Sequence, residues 1–219
     1  MGEINQRDYW EIQHQKKEGG HENIIEEPNI FTKECIHYIP ENGKVLEIGS
    51  ANGRDARYFA REKNIQTIAI DFSTEVMKQL IKTSKEDNTS DLVLPILADT
   101  NHLPLNSSNV FDAIYSRSAL HLSDEELDIF LDQTTKMLKS KGYLMIEGKT
   151  KDDFKISRSE EISPNLFRDN DGHLRRAWDE QTLDGFLKKN KLQLISSKKS
   201  EETLKNNKTN FINFIIQKM

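Results

Sequence analysis

Short apolar runs punctuate the chain, and the stretches between them carry apolar residues at helical spacing. Lys44–Gly49 reads as a strand ending in glycine, Ile65–Asp71 as a second ending in aspartate, and Leu92–Asp99 as a third, also ending in aspartate. Pro95 inside the third has no backbone donor, which points to an edge or a bulge. Val110–Ser116 and Gly142–Gly148 are the fourth and fifth strands, and Leu192–Lys198 and Phe211–Lys218 lie near the C-terminus. Near-continuous Ile, Val and Leu runs of this length belong to strands covered on both faces.

Between the runs, Val76, Met77, Leu80 and Ile81 form one helical stripe. Leu127, Phe130, Leu131, Thr134 and Leu138 form another, and Leu183, Phe186 and Leu187 a third. Ser123-Asp124-Glu125-Glu126 fits a capping box, with Ser123 as N-cap and Glu126 reaching back. Strands alternating with helices predict right-handed crossovers and an α/β, Rossmann-like, doubly wound sheet of seven strands with helices on both faces. The stretch KSEETLKNNKTN between the last two strands carries no apolar stripe. It is expected to be a long hairpin loop, making those two strands antiparallel neighbours in an otherwise mostly parallel sheet.

Two segments fall outside the alternation. Residues 1–40 read as helical in two pieces separated by Gly19-Gly20, and residues 149–178 are rich in Asp, Arg and Ser. Ligands of open α/β sheets bind beyond the carboxyl ends of the strands. Both segments are therefore expected there, as an N-terminal lid and a cap on one domain spanning 1–219.

Composition narrows the class. Of 219 residues 31% are charged and 35% hydrophobic, with one cysteine and a net charge of −5. The mean hydropathy of −0.72 leaves disorder open until the apolar residues are seen to be concentrated. No apolar run approaches the ~20 residues of a membrane span, so a cytoplasmic protein without membrane contact is expected. Cys35 alone supplies no internal disulfide and no thiolate zinc cluster. The lysine-rich stretch 188–208 has no interleaved aromatics and reads as a solvated face rather than a nucleic-acid surface.

The stretch with most chemical content is Val45-Leu46-Glu47-Ile48-Gly49-Ser50-Ala51-Asn52-Gly53-Arg54-Asp55. A dinucleotide fingerprint, G-x-G-x-x-G, fits poorly, because Ala51 and Arg54 stand at its third and sixth positions. An acid at the strand end followed by E-x-G-x-x-x-G fits better. Here the chain resembles the class I S-adenosylmethionine-dependent methyltransferases, from about residue 30 to the end. The resemblance implies that Glu47, Gly49, Ser50, Ala51 and Gly53 pass under the methionine part of S-adenosylmethionine, with Ala51 in place of the usual central glycine. It implies that Asp71, with Phe72 beside it, accepts from the ribose hydroxyls, two acceptor oxygens meeting two donors. It also implies that Asp99 and Thr100 lie near the adenine, with Asn101 or His102 along the same ring. Ser116 would line the cofactor, and Tyr9-Trp10 would close over it from the first helix.

Within that family, Asn52-Gly53-Arg54-Asp55 and Phe111–His121 are similar to the small-molecule branch that includes tellurite-resistance and thiopurine-type enzymes. The resemblance implies in-line methyl transfer to a small-molecule O, S or N nucleophile, with no metal. Arg117 would hold the cofactor carboxylate or an anionic acceptor; its structural alternative is pairing with the acidic helix that follows. His121 is either a general base or a packed histidine. In Asp171-Gly172-His173-Leu174-Arg175-Arg176-Ala177-Trp178, His173 and Arg176 would face the acceptor and Trp178 the pocket edge. No N/D-P-P-Y sequence follows the fourth strand, and Cys35 lies too far upstream for covalent C5 chemistry. Two other readings stand beside the enzyme: a non-catalytic cofactor-binding sensor, and an NAD-dependent oxidoreductase. A monomer or a homodimer is equally compatible with the sequence.

Overall fold

A computed structural model describes residues 6–15, 27–100, 103–105, 107–204 and 207–219. The chain begins with α1 (Gln6–Gln15) and the short α2 (Ile30–Cys35), the expected two helical pieces; Gly19-Gly20 lies outside the described residues. Then follow β1 (Lys44–Ile48), α3 (Arg54–Lys63), β2 (Gln66–Asp71), α4 (Thr74–Glu86), β3 (Val93–Leu97), β4 (Phe111–Arg117), α5 (Asp124–Met137) and β5 (Leu138–Lys149). A small sheet of β6 (Glu160–Ser163), β7 (Leu166–Arg168) and β8 (Leu174–Arg176) precedes α6 (Glu180–Lys189), β9 (Leu192–Leu204) and β10 (Asn207–Lys218).

The main sheet has seven strands in the order β3-β2-β1-β4-β5-β10-β9. β1 to β5 pair parallel, while β10 runs antiparallel to both β5 and β9. This is the doubly wound arrangement with one reversed strand near the C-terminus. β3 is an edge strand, as Pro95 requires: it pairs only with β2, where Pro95 stands opposite Ala69. The order reverses between β1 and β4, so the loops after these two strands part and open a crevice at the carboxyl edge.

Apolar side chains from both sheet faces form the core. One body holds Leu46, Ile48, Ile114, Leu144, Ile146 and Phe214 against Leu127, Phe130 and Leu131 of α5 and Leu183 of α6. On the opposite face, Val45, Tyr115, Met145 and Ile215 pack on Phe31 and Phe59. The capping box forms: Ser123 N–H donates to Glu126 Oε2 at 2.7 Å, and Glu126 N–H to Ser123 Oγ at 3.3 Å.

Four expectations need correction. Leu138 is not the last rung of the α5 stripe: it caps the helix at φ −67°, ψ 138° and starts β5 directly. Ile81 lies outside the α4 core stripe at 43% exposure, while Val76, Met77 and Leu80 are buried. The polar dozen near the C-terminus is not a long loop, because β9 runs to Leu204 and β10 begins at Asn207. Ladder hydrogen bonds hold polar side chains in extended backbone at a sheet margin, where no apolar pattern is required. Finally, segment 149–178 contains three strands of three or four residues, too short for any periodicity to show.

Candidate active site

β1 delivers Glu47 and Ile48 to the carboxyl edge, and the chain turns at Gly49 with φ +71°. A Cβ there would lie 2.1 Å from the Ala119 Cβ, so the turn needs both the left-handed backbone and the missing side chain. Gly49 and Ser50 N–H donate to the Ile70 carbonyl at 2.8 and 2.9 Å, tying the loop to β2. Gly53 caps α3 at φ +72°, and a side chain at that position would overlap Leu80. Ala51 also sits left-handed, at φ +47°. It therefore takes the conformation that a glycine would take there, at a steric cost.

The same turn brings the Ala51 N–H to Asp71. Asp71 Oδ2 accepts from Ala51 N at 3.0 Å, and Oδ1 accepts from Ser73 N at 2.9 Å. Burial pushes the Asp71 carboxyl up, and the N–H groups of Ser73, Ala51 and Phe72 pull it partway back. Each oxygen keeps a further lone pair for another donor. Phe72 beside it is half-buried. Beyond β3, Asp99 is exposed and Thr100 half-buried; Asn101 and His102 lie outside the described residues.

Beneath the loop lies a buried charged network. Glu47 is 3% exposed; burial, with Asp55 nearby, pushes its carboxyl well above the usual range. Its Oε2 and the Ser50 Oγ, both buried, have no hydrogen-bond partner in the structure. These two orphaned acceptors border the glycine turn, which is where a bound group with donors fits. Arg54 grips Asp55 with two nitrogens, at 3.0 and 3.2 Å. Asp55 in turn accepts from Tyr115 Oη at 3.1 Å and from Asn29 Nδ2 at 3.2 Å. The α2 N-cap, the first turn of α3 and the centre of β4 are thus pinned together.

Arg117 is placed differently from expectation. Its guanidinium sits 2.5 Å from Glu147 Oε1 and 2.8 Å from Glu202 Oε2, and lies over the Phe211 ring at 5.2 Å. It pairs neither with α5 nor with an open position: two carboxylates already neutralise it. Burial raises the Glu147 carboxyl to about 7 despite Arg117. Ser116 is fully buried, and its hydroxyl donates to the Ile48 carbonyl at 3.2 Å, joining β1 to β4 instead of facing a ligand.

The small sheet is docked on the β4–α5 loop through Arg176. This side chain is fully buried, donating to the Leu122 carbonyl at 2.9 Å and to Asp124 at 2.6 Å. The expectation that Arg176 faces an acceptor is therefore revised: it is a clamp. Trp178 is core too, lying directly against Gly148, where a Cβ would come within 2.1 Å of its ring. His121 and His173 stand together, ring centroids 5.1 Å apart. Tyr9 and Trp10 of α1 close over His173 at 4.7 and 4.8 Å. Gln6 secures that helix by accepting from Leu174 N and donating to the Gly172 carbonyl. His173 is fully buried with neither ring nitrogen hydrogen-bonded, and burial drives it down to about 3. Burial, then His173, pushes His121 well below its ordinary value, and its Nδ1 accepts from Arg176 N at 3.4 Å. In this arrangement both imidazoles are neutral and weak proton acceptors.

The glycine loop, Glu47, Asp71 and Phe72 thus gather at the carboxyl ends of β1 and β2, where Gly49 meets Ala119 of the β4–α5 loop. His121 of that loop stands with His173, Tyr9 and Trp10 as a second group. Asn29, Asp55, Tyr115, Glu147 and Glu202 were missed by sequence reasoning. Asp55, directly after the loop, and Glu147, an acid inside the apolar Leu144–Gly148, carry a sequence signal; Asn29, Tyr115 and Glu202 carry none. Among the described residues no group of three His, Cys, Asp or Glu side chains is placed to hold a metal ion.

Comparison with known proteins agrees with this geometry. A family model described as a methyltransferase domain matches residues 46–146, which span the glycine loop, Asp71 and β4. The phosphoethanolamine N-methyltransferase of Plasmodium falciparum is 32% identical over 109 residues, 48% of this chain and 39% of that protein. The chain spans only 24% and 39% of the length of two curated relatives it matches. Among solved structures, an S-adenosylmethionine-dependent methyltransferase of Methanosarcina mazei superposes with a TM-score of 0.70 at 16% identity, covering 85% of this chain and 97% of its own. TehB from Haemophilus influenzae superposes at 0.66 with 17% identity, covering 93% and 68%. Residues 46–146 thus match the methyltransferase-domain family model, and the chain has the fold of these solved S-adenosylmethionine-dependent methyltransferases.

Proposed function

We propose that this protein binds S-adenosylmethionine across the carboxyl ends of β1, β2 and β3 and transfers its methyl group to a small-molecule acceptor held beside His121. The observation that carries the reading is the join between the glycine loop and Asp71. The left-handed Ala51 gives its N–H to the strand-end carboxylate that this reading assigns to the ribose hydroxyls. When bound, the cofactor supplies a methyl group already activated on sulfonium. The chain's part is then to position and to exclude water. Asp71 takes the ribose hydroxyls, Gly49 and Ser50 let the backbone approach closely, and Glu47 and Ser50 offer their orphaned oxygens to the cofactor's donors. Asp99 and Thr100 flank the adenine side.

On the acceptor side, Tyr9 and Trp10 form a lid and the small sheet a cap, enclosing His121 and His173. With His173 buried, His121 partly buried and both held low in basicity, the site favours an acceptor that arrives deprotonated, or that hands its proton to water before binding. The oxidoreductase alternative has no support in the methyltransferase-domain match. The phosphoethanolamine N-methyltransferase to which the chain is similar acts, by its name, on a small molecule, which supports a small-molecule acceptor.

Calorimetric titration with S-adenosylhomocysteine tests the reading. Wild-type protein is expected to bind, and Asp71→Ala to lose about a hundredfold in affinity, the worth of two charge-assisted hydrogen bonds. Equal affinity in the Asp71→Ala variant, with its thermal midpoint checked alongside, would overturn the assignment. Release of S-adenosylhomocysteine with thiols, carboxylic acids, phenols or amines then identifies the acceptor.

A further inference from the structure

β9 is the last strand of the main sheet, and among the described residues no strand pairs with its outer edge. Such an edge presents a row of unpaired N–H and C=O groups that another strand can use. The edge is long. Its register against β10 breaks at Ile215/Ile216, where Ile195 is skipped, and is regular from Ser196 to Leu204. Ser200 is the midpoint of that regular segment.

Around Ser200 the charges are antisymmetric: Lys198 and Lys199 precede it, and Glu201 and Glu202 follow. In an antiparallel pairing of two copies about a two-fold axis at Ser200, residue 200 − n stands opposite residue 200 + n of the other copy. Lys199 then faces Glu201 of the partner subunit, and Lys198 faces Glu202 of the partner subunit. Ser197 meets Thr203 of the partner subunit. Directly opposed cross-strand residues share a face, so both ion pairs are sterically consistent with the alternation of the strand. Lys198, Lys199, Glu201 and Thr203 are exposed. Charges of either sign protect an exposed edge; here their change of sign about Ser200 also makes the edge complementary to a second copy of itself.

We propose that this chain forms a two-fold homodimer by antiparallel pairing of two β9 edges centred on Ser200, joining the two seven-stranded sheets into one. The pairing reaches the site through Glu202, which already holds Arg117 at 2.8 Å. Lys198 of the partner subunit extends the chain Glu147–Arg117–Glu202 by one charge. An isologous contact of this kind closes on itself and leaves no further edge at β9.

Sedimentation equilibrium of the full chain at low salt tests this independently of any methyltransferase activity. Wild-type protein is expected to be dimeric, with association weakening as salt rises. Lys199→Glu and Glu201→Lys each place like charges opposite each other at two symmetry-related positions. Each alone is expected to weaken dimerisation about tenfold or more. Mixing the two variants pairs Glu with Lys at both positions and restores the dimer. Both positions are exposed, and unchanged circular dichroism and thermal midpoints confirm that each variant folds. A monomeric wild type, unchanged association in the single variants, or no recovery on mixing overturns the proposal.

Discussion

Ala51 shows how one side chain can act through backbone geometry alone. It holds φ +47° within the turn whose backbone sets its N atom 3.0 Å from Asp71 Oδ2. An L-residue there costs about 1–2 kcal/mol relative to a right-handed one, whereas glycine is nearly free of the penalty. Part of the gain from glycine is returned as unfolded-chain entropy. Ala51→Gly is therefore expected to stabilise the protein by about 0.5 kcal/mol, read as a higher urea midpoint at unchanged slope. A loss of stability would mean that the alanine methyl contributes packing that outweighs the strain. At the same scale, His121 and Arg117 show why a residue's type does not define its role. Arg117 ends β4 and His121 lies in the loop after it, yet the arginine is already held by two carboxylates and burial lowers the basicity of the histidine.

Among elements, the decisive contact is the docking of the small sheet on the β4–α5 loop. β6, β7 and β8 have little core of their own: Phe167 packs with Ile156 and Ala177 in a small cluster. What fixes them to the main body is Arg176, with Asp124 and the Leu122 carbonyl as partners. Truncating a fully buried arginine removes packing and leaves a buried carbonyl without its donor. Arg176→Ala is expected to cost about 2–4 kcal/mol in urea unfolding. Asp124→Asn is expected to cost under about 1 kcal/mol, since that carboxylate is more than half exposed and solvent screens the pair. Equal losses in the two variants would show that the ion pair, rather than burial of the guanidinium and its carbonyl contact, holds the small sheet. None of this was legible in residues 149–178, because strands of three residues carry no period and the clamp's partners lie some fifty positions away.

For the whole molecule, buried titratable groups on the two sides of the crevice make stability depend on pH in opposite directions. His173 falls from 6.5 to about 3 on folding, so the unfolded chain binds the extra proton between those values. Its contribution is complete above 6.5 and is lost progressively as pH falls; His121 acts in the same direction. Glu147 rises from 4.5 to about 7, so its contribution is present below 4.5 and is lost as pH rises through 7. Each group changes the slope by up to about 1.4 kcal/mol per pH unit within its window. His173→Phe is expected to flatten the loss of stability on going from pH 7 to pH 5. Glu147→Gln is expected to steepen it, because the opposing group is gone. Thermal midpoints at half-unit pH steps give both slopes, and identical profiles in all three proteins would refute the linkage.

The linear order of residues determined the alternation of strands and helices, the Ser123 capping box, the restriction of Pro95 to an edge or a bulge, and the placing of Gly49, Asp71 and Asp99 at or just beyond the ends of three strands. Each depends on interactions within a few residues, or on a burial period that any covered strand must show. Only the tertiary structure decided that Asp71 and Ala51 share a hydrogen bond, that Arg117 is held between Glu147 and Glu202, and that Arg176 is a clamp. It also decided that His173 lies buried under Tyr9 and Trp10 of α1, with His121 against it. Those outcomes depend on which distant side chains exclude water from a given charge, and burial of that kind is a property of the packed chain, not of any local stretch.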